Sequence, residues 1–262
     1  MPKTKKPKKL NITVYFVLRV LVIACMVAQS MHGNWNNVFL CILTLILFTL
    51  PMLIEKKFNI DLPTTLEIIV YLFIFSAEIL GEIQNFYGIF PHWDTMLHTL
   101  NGFLCAAIGF SLVDILNRDK NVDISLTPVF VALVSFCFSM TIGVLWEFGE
   151  FTMDRYFNLD MQKDRYITEI SSVKINEKNN NETIKINDID KTVIYSNNEK
   201  EEFTIKDGYL DIGIIDTMKD LYVNFIGAVV FSIIGFLYIQ NRDGYGFAKR
   251  FIPTSTNKKK LS

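Results

Sequence analysis

Residues 128–148 read PVFVALVSFCFSMTIGVLWEF, and the first 19 of them carry no acidic or basic side chain. Nineteen residues of α-helix rise about 28 Å, close to the thickness of a bilayer's hydrocarbon core. The run is apolar on all sides, so it suits surroundings of lipid and protein and not water. It closes on Trp146 and Glu147, an aromatic ring and a carboxylate, the side chains that belong at a membrane boundary.

Five more windows of this kind lie outward from it: Thr13–Met31, Val38–Ile54, Thr65–Ile83, Thr95–Leu116 and Leu221–Gln240. Half of the 262 residues are hydrophobic and 22 are Phe, bunched into runs as in bilayer proteins. The expected fold class is an all-α polytopic membrane protein of about six transmembrane helices. A small β-containing extracytoplasmic insertion is expected between helices five and six.

The net charge of −1 says little, but its distribution orients the chain. Lys3, Lys5, Lys6, Lys8 and Lys9 precede the first window, Lys56 and Lys57 follow the second, and Arg118 and Lys120 follow the fourth. Arg242, Lys249, Arg250 and Lys258 to Lys260 follow the sixth. The segments Met31–Val38 and Ile83–Thr95 contain neither Lys nor Arg. The positive-inside rule then puts both termini in the cytoplasm of a bacterial cell with a multi-pass inner-membrane protein. The basic tails read as topology signals beside anionic lipid and not as nucleic-acid contacts; membrane lipids are the expected partners. The first run lacks a small-residue cleavage site and reads as a retained helix, not a signal peptide.

Cys25, Cys41, Cys105 and Cys137 all fall in apolar windows without ligand spacing and read as packing residues. Arg19 is the ionisable exception in the first two helices. Its stem allows it to snorkel to the inner headgroups; an inward ion pair or a lipid phosphate is the alternative.

Four segments follow. Residues 1–62 form a basic N-terminus with two anchoring helices, and 63–154 form helices three to five. Residues 155–218 form the insertion, and 219–262 form helix six with a basic tail. The insertion holds nine Lys/Arg against thirteen Asp/Glu, a net of −4, with an Asn/Glu/Lys patch at 176–182. Short β-type runs at 166–175, 183–186, 192–195 and 202–205 are separated by turns that include Asn197-Asn198 and Asp207-Gly208. It reads either as a lid or ligand module or as a variable surface insertion.

The last four helices carry ionisable groups at helical spacing, and the topology puts every set at one membrane face. Helix three ends with Glu78 and Glu82; helix four begins with Asp94 and His98, after His92; helix five ends with Glu147, Glu150 and Asp154; helix six is entered through Asp216, Asp220 and Asn224. Spacings of three and four put each set on one helix face. Gly102, Cys105 and Gly109, Ser139 and Gly143, and Gly227 continue the stripes inward, as expected of helix–helix contacts in lipid. A charge at membrane depth costs about 2.5–3.5 kcal/mol on insertion scales, so clustered acids need shared protons, an imidazolium, a cation or water. Asp/His at i,i+4 and Glu/Glu at i,i+3 have the spacing of carboxylate metal bundles, which makes a divalent cation the candidate cofactor. Its candidate ligands are Asp94, His98, Glu147, Glu150, Asp216 and Asp220. No catalytic serine motif, phosphate-cradling glycine loop or dinucleotide fingerprint is present. Asp114 is the main acid of the inner halves.

Trp93-Asp94-Thr95-Met96-Leu97-His98, Trp146-Glu147-Phe148-Gly149-Glu150 and Asp216-Thr217-Met218-Lys219-Asp220-Leu221, with Asn224 and Gly227-Ala228, resemble the YjdF-like family of uncharacterised bacterial inner-membrane proteins. They are more distantly similar to the VanZ-like superfamily, whose pattern is Asp-x-x-x-His, a later helix Glu, and Asp-x-x-x-Asn before a Gly-rich helix. The likeness spans about residues 63–240, and Met161-Gln162 looks like the family's segment after the acidic helix. It implies a core of Asp94, His98, Glu147, Asp220 and Asn224, with Glu150 and Asp216 next, and VanZ-like association with glycopeptide susceptibility implies work at the envelope surface. Three functions stay open. The favoured one is a site, possessing Asp94, His98, Glu147, Glu150, Asp220 and Asn224 as ligands, acid/base or orienting groups, that binds or acts on an envelope lipid or lipid-linked substrate. The others are a proton- or cation-coupled transporter and a structural or sensor protein whose acids tie helices together. Whether the chain is an enzyme is left open by the residues.

Overall fold

The computed structural model describes residues 9–117, 125–178 and 181–255. Lys3, Lys5, Lys6, Lys8, Arg118, Lys120, Lys258 to Lys260 and part of the Asn/Glu/Lys patch lie outside the described residues. Two compact units divide the chain: unit 1 comprises residues 1–144 and 220–262, unit 2 residues 145–219.

Unit 1 begins with α1 (Lys9–Met31), α2 (Trp35–Leu47) and α3 (Leu50–Phe58). Pro51 explains the break at Phe48-Thr49: it has no N–H to give and is accommodated in the first turn of α3. Asn59 ends α3 at φ 52°, in the left-handed region that Asn tolerates. After β1 (Ile60–Asp61), α4 (Thr64–Phe75) passes directly into a π-helical stretch, Ser76–Ile83. Together these two make the third expected window. The wider π turn disturbs the regular ladder, and the Trp93 indole N–H donates to the Ser76 carbonyl at 3.3 Å. Trp93 itself packs edge-on to Phe86 of α5 (Phe86–Ile89), with ring centroids 4.9 Å apart.

α6 (Trp93–Asn117), α7 (Pro128–Phe157) and α8 (Ile214–Gln240) follow, and α7 and α8 each run from one unit into the other. Counting α2 and α3 together, five helical stretches among the described residues are long and apolar enough to cross a membrane. α7 and α8 overrun their apolar windows, α7 to Phe157 and α8 from Ile214, because the hydropathy of a window says where lipid can be and not where hydrogen-bonded helix stops.

One core of unit 1 joins Ala106, Ala107 and Phe110 of α6, Val131 of α7, and Ala228, Phe231 and Tyr238 of α8. Ala248 and Ile252 belong to the same core. Part of the segment expected as a basic tail is thus packed into the core. After α8 the chain turns back through a 3-10 turn, Gly246–Arg250, and reaches β8 (Thr254–Ser255), which pairs antiparallel with β1. Phe251 meets Phe103 edge-on at 5.3 Å. Arg242, expected as a topology charge, donates to both oxygens of buried Asp114 at 2.6 and 3.2 Å, and that hydrogen bonding holds its guanidinium further toward the charged form. A second core packs Leu18 and Val22 of α1 with Cys41, Phe48, Tyr71, Ile74 and Ile79.

Among its described residues, unit 2 contains the end of α7, six short strands and the start of α8. The strands are β2 (Arg165–Ile167), β3 (Ile170–Ser172), β4 (Ile184–Ile186), β5 (Thr192–Ser196), β6 (Glu201–Ile205) and β7 (Tyr209–Asp211). They pair antiparallel as β2–β7, β3–β4 and β5–β6. Asn197 and Asn198 have positive φ in the β5–β6 turn, and Gly208 has φ 125°, where the sequence places turns.

Candidate functional site

The tightest polar group lies in unit 1. Asp94 occupies the first turn of α6, where a carboxylate opposes the positive end of the helix, and His98 stands one turn on. His98 Nε2 is 3.3 Å from Asp94 Oδ1 and 3.9 Å from Asp220 Oδ2 of α8. One ligand atom from each of the three lies within 4.8 Å of the others, the one such set among the described residues. Side-chain exposure falls from 26% at Asp94 through 11% at His98 to 2% at Asp220. The set therefore runs from an accessible lip to a buried floor.

Small residues bring these helices together. A β-carbon added at Gly102 would overlap the Asn224 carbonyl, and one at Gly227 would overlap the carbonyl of Thr99, so α6 and α8 touch backbone to backbone. Gly143 of α7 leaves room for the Asn224 carboxamide in the same way, and Ser139 donates to the Gly102 carbonyl at 2.7 Å. Buried Asn224 accepts from Asn101 Nδ2 at 3.1 Å and turns its own amide toward Met140 Sδ at 3.7 Å. Asn101 was missed by motif reading. It falls on the stripe 94, 98, 101, 105, and that periodicity is the signal by which it is found.

On the same two helices a groove of about 470 Å³ is lined by His92, Thr95, Met96, Thr99, Phe103 and Val230 among others, and by none of the three residues of the set. Its wall is nearly all apolar, and Met96 and Val230 are about half exposed. Inward of Asp220 the helices close on Ala106, Ala107, Phe110, Ala228 and Phe231, all with no exposed surface.

Unit 2 holds the other expected acids in different company. Asp154 accepts from the backbone N–H groups of Met161 and Gln162 at 2.6 and 2.8 Å. Asp216 accepts from the Lys163 N–H at 2.9 Å and from Arg165 Nη2 at 2.8 Å. One of its oxygens thus serves the loop after α7 and the other the start of β2, and Asp216, expected as a metal ligand, sits in an ion pair with a residue that motif reading missed. Gln162 donates to Thr217, and Asp211 caps the first turn of α8 by accepting from Ile215 N–H at 3.0 Å. Glu147 and Glu150 are both buried, and Glu150 accepts from the Trp146 indole at 2.8 Å. Partial burial, then the like charges of Asp160, Asp154 and Asp211, raise the Asp164 carboxyl above its usual range. Glu78 and Glu82 lie in the π-helical stretch of unit 1 and are not members of the three-residue set.

An imidazole nitrogen and two carboxylate oxygens form a mixed N/O donor set. Such a set suits a first-row divalent cation better than Mg²⁺ or Ca²⁺, which prefer oxygen alone. Three protein ligands fit a cation that keeps open positions for water or a phosphate oxygen. With His98 protonated, the same geometry is an imidazolium between two carboxylates.

Residues 11–174 match a family described as "Predicted membrane protein (DUF2238)". A protein of Thermotoga maritima, named "Uncharacterized protein", is 30% identical over 105 residues, covering 40% of this chain and 52% of the relative. The chain thus spans about half the length of that relative. No solved structure matches the chain. The YjdF-like reading agrees with the family match, whereas the wider VanZ-like likeness rests on the motifs alone.

Proposed function

The chain belongs to the family described as "Predicted membrane protein (DUF2238)", and from that premise we propose that Asp94, His98 and Asp220 hold a divalent cation that receives the phosphate of an envelope lipid or lipid-linked substrate. The observation that carries this reading is the convergence of three ligand atoms within 4.8 Å of one another, on the two helices that also line an apolar groove. A cation offsets the two carboxylates, which otherwise raise each other's cost at membrane depth. The groove suits an acyl or prenyl chain, because its half-exposed wall is surrounded by hydrocarbon in a membrane. Asn101 and Asn224 orient the floor.

The protein lies in the bacterial cytoplasmic membrane with both termini inside and the cation site toward the outer face. This orientation rests on Lys56 and Lys57 at the opposite end of the helices. The apolar core inward of Asp220 and the Asp114–Arg242 pair favour a site entered from one side over a transport path. Purified full-length protein, stripped with chelator and titrated with Mn²⁺ and Zn²⁺, tests the reading. One cation binds the native chain, and Asp220→Asn weakens it by about a hundredfold or more, since losing a ligand costs at least as much as the roughly 10–100-fold that follows from disturbing a ligand's own partners. Equal affinity in the two proteins removes the proposal. Retention of phosphatidic acid that depends on the cation tests the lipid half.

A further inference from the structure

Arg19 stands in the N-terminal half of the first membrane-spanning stretch, Ile12–Met31. Its guanidinium carbon lies over the Tyr15 ring, 4.8 Å from the centroid and one helical turn toward the start of α1. The Tyr15 ring is fixed in turn by Tyr71 and Phe48, at 5.1 and 6.4 Å. Among the described residues Arg19 has no carboxylate partner within 4 Å, and its Nε is closed off from solvent without a hydrogen-bond acceptor. Glu67, the acid of the same neighbourhood, accepts from the Tyr71 hydroxyl at 3.1 Å.

The helix face settles which way the cation is open. Leu18 and Val22 are buried against the neighbouring helices, whereas Phe16, Val20 and Ile23 are exposed, so Arg19 stands on the border between protein and lipid. A guanidinium there is costly unless an anion or water reaches it. Its planar fork matches two oxygens of a phosphate, and its stack on Tyr15 aims it at the headgroups of the near leaflet. Lys56 and Lys57 end α3 at that same side of the membrane and favour anionic lipid there.

We propose that Arg19, seated on Tyr15, is a binding site for the phosphodiester of an anionic glycerophospholipid in the leaflet at the N-terminal end of α1. The site is independent of the Asp94–His98–Asp220 set. It ties the first two helices, which carry no other chemistry, to the lipid around them.

Native mass spectrometry of the full-length protein from mixed phosphatidylglycerol and phosphatidylcholine micelles tests it. The native chain retains one phosphatidylglycerol in preference to phosphatidylcholine. Arg19→Gln weakens that retention about tenfold, the size expected when one charge-assisted contact is lost. Arg19→Lys keeps the charge without the fork and falls between the two, so the comparison stands even if the neutral variant fails to fold. Equal retention in native and Arg19→Lys protein, or no preference over phosphatidylcholine, overturns the proposal. Displacement of the lipid by inorganic phosphate at millimolar concentration also overturns it, since the site then reads free phosphate. Unchanged divalent-cation binding in Arg19→Lys separates this outcome from the fate of the cation site.

Discussion

Asp220 and Asp216 stand one turn apart on α8, and the two compact units of the chain use them in opposite ways. Asp220 faces His98 and shares a ligand-sized space with Asp94. Asp216 accepts from Arg165 and from the Lys163 N–H, and Asp154 likewise accepts two backbone donors. A carboxylate whose oxygens are met by cationic and amide donors of its own chain fastens a loop. Carboxylates gathered round an imidazole, at the end of an apolar helix pair, concentrate negative charge, and the proposed cation would offset it. Residue type and helical spacing are the same in both cases, so the surrounding donors decide the role.

The contrast breaks most severely if the backbone approach under the cation set is opened. Gly102→Leu forces a side chain into the Asn224 carbonyl, which α8 must move to accommodate. The expected loss is about 3 kcal/mol or more, the upper part of the overpacking range, read as a lower unfolding temperature in detergent together with lost cation binding.

Asp216→Ala sharpens the comparison. It leaves Arg165 and the Lys163 N–H without their acceptor, and because Arg165 is 42% exposed the cost stays near 1–2 kcal/mol. Proteolysis within residues 158–213 accelerates, while the cation stoichiometry is unchanged. A lost cation would instead make Asp216 a ligand.

Ser139→Ala removes the hydroxyl that donates to the Gly102 carbonyl. About 1 kcal/mol of stability is expected to go, with the cation affinity shifted little. A large loss of affinity would show that Ser139 sets the position of α6 and not merely its stability.

The smallest effect concerns pH. The folded-state pKa of Asp164 is raised above its unfolded value, so its favourable contribution is present below the unfolded pKa and is lost as pH rises through the folded one. Unit 2 should therefore become slightly more susceptible to proteolysis as pH climbs from about 4, and Asp164→Asn should abolish that trend. An unchanged slope in the variant would place the pH dependence on another group.

Much of this was legible before any coordinates. The nineteen uncharged residues at 128–146 require a helix through hydrocarbon, because a backbone in lipid must satisfy its own hydrogen bonds. The spacing 94, 98 on α6 and 220, 224 on α8 put each polar pair on one face, and Gly102 and Gly227 marked where two helices approach. The turns at Asn197-Asn198 and Gly208 followed from residue chemistry alone. Local spacing has no means of ranking the acids, however. Arg165 reaches Asp216 across 51 positions and Arg242 reaches Asp114 across 128, distances over which periodicity carries no information.

The sequence by itself determined the membrane class, the helix faces and the residue types at one end of the bundle, since lipid allows few alternatives to an apolar helix. Tertiary structure decided which acids meet His98, which meet arginine or backbone amides, and that the C-terminal segment folds back into the core through Ala248 and Ile252. Those outcomes depend on which backbones can touch and which donors arrive from distant parts of the chain, and both are properties of packing.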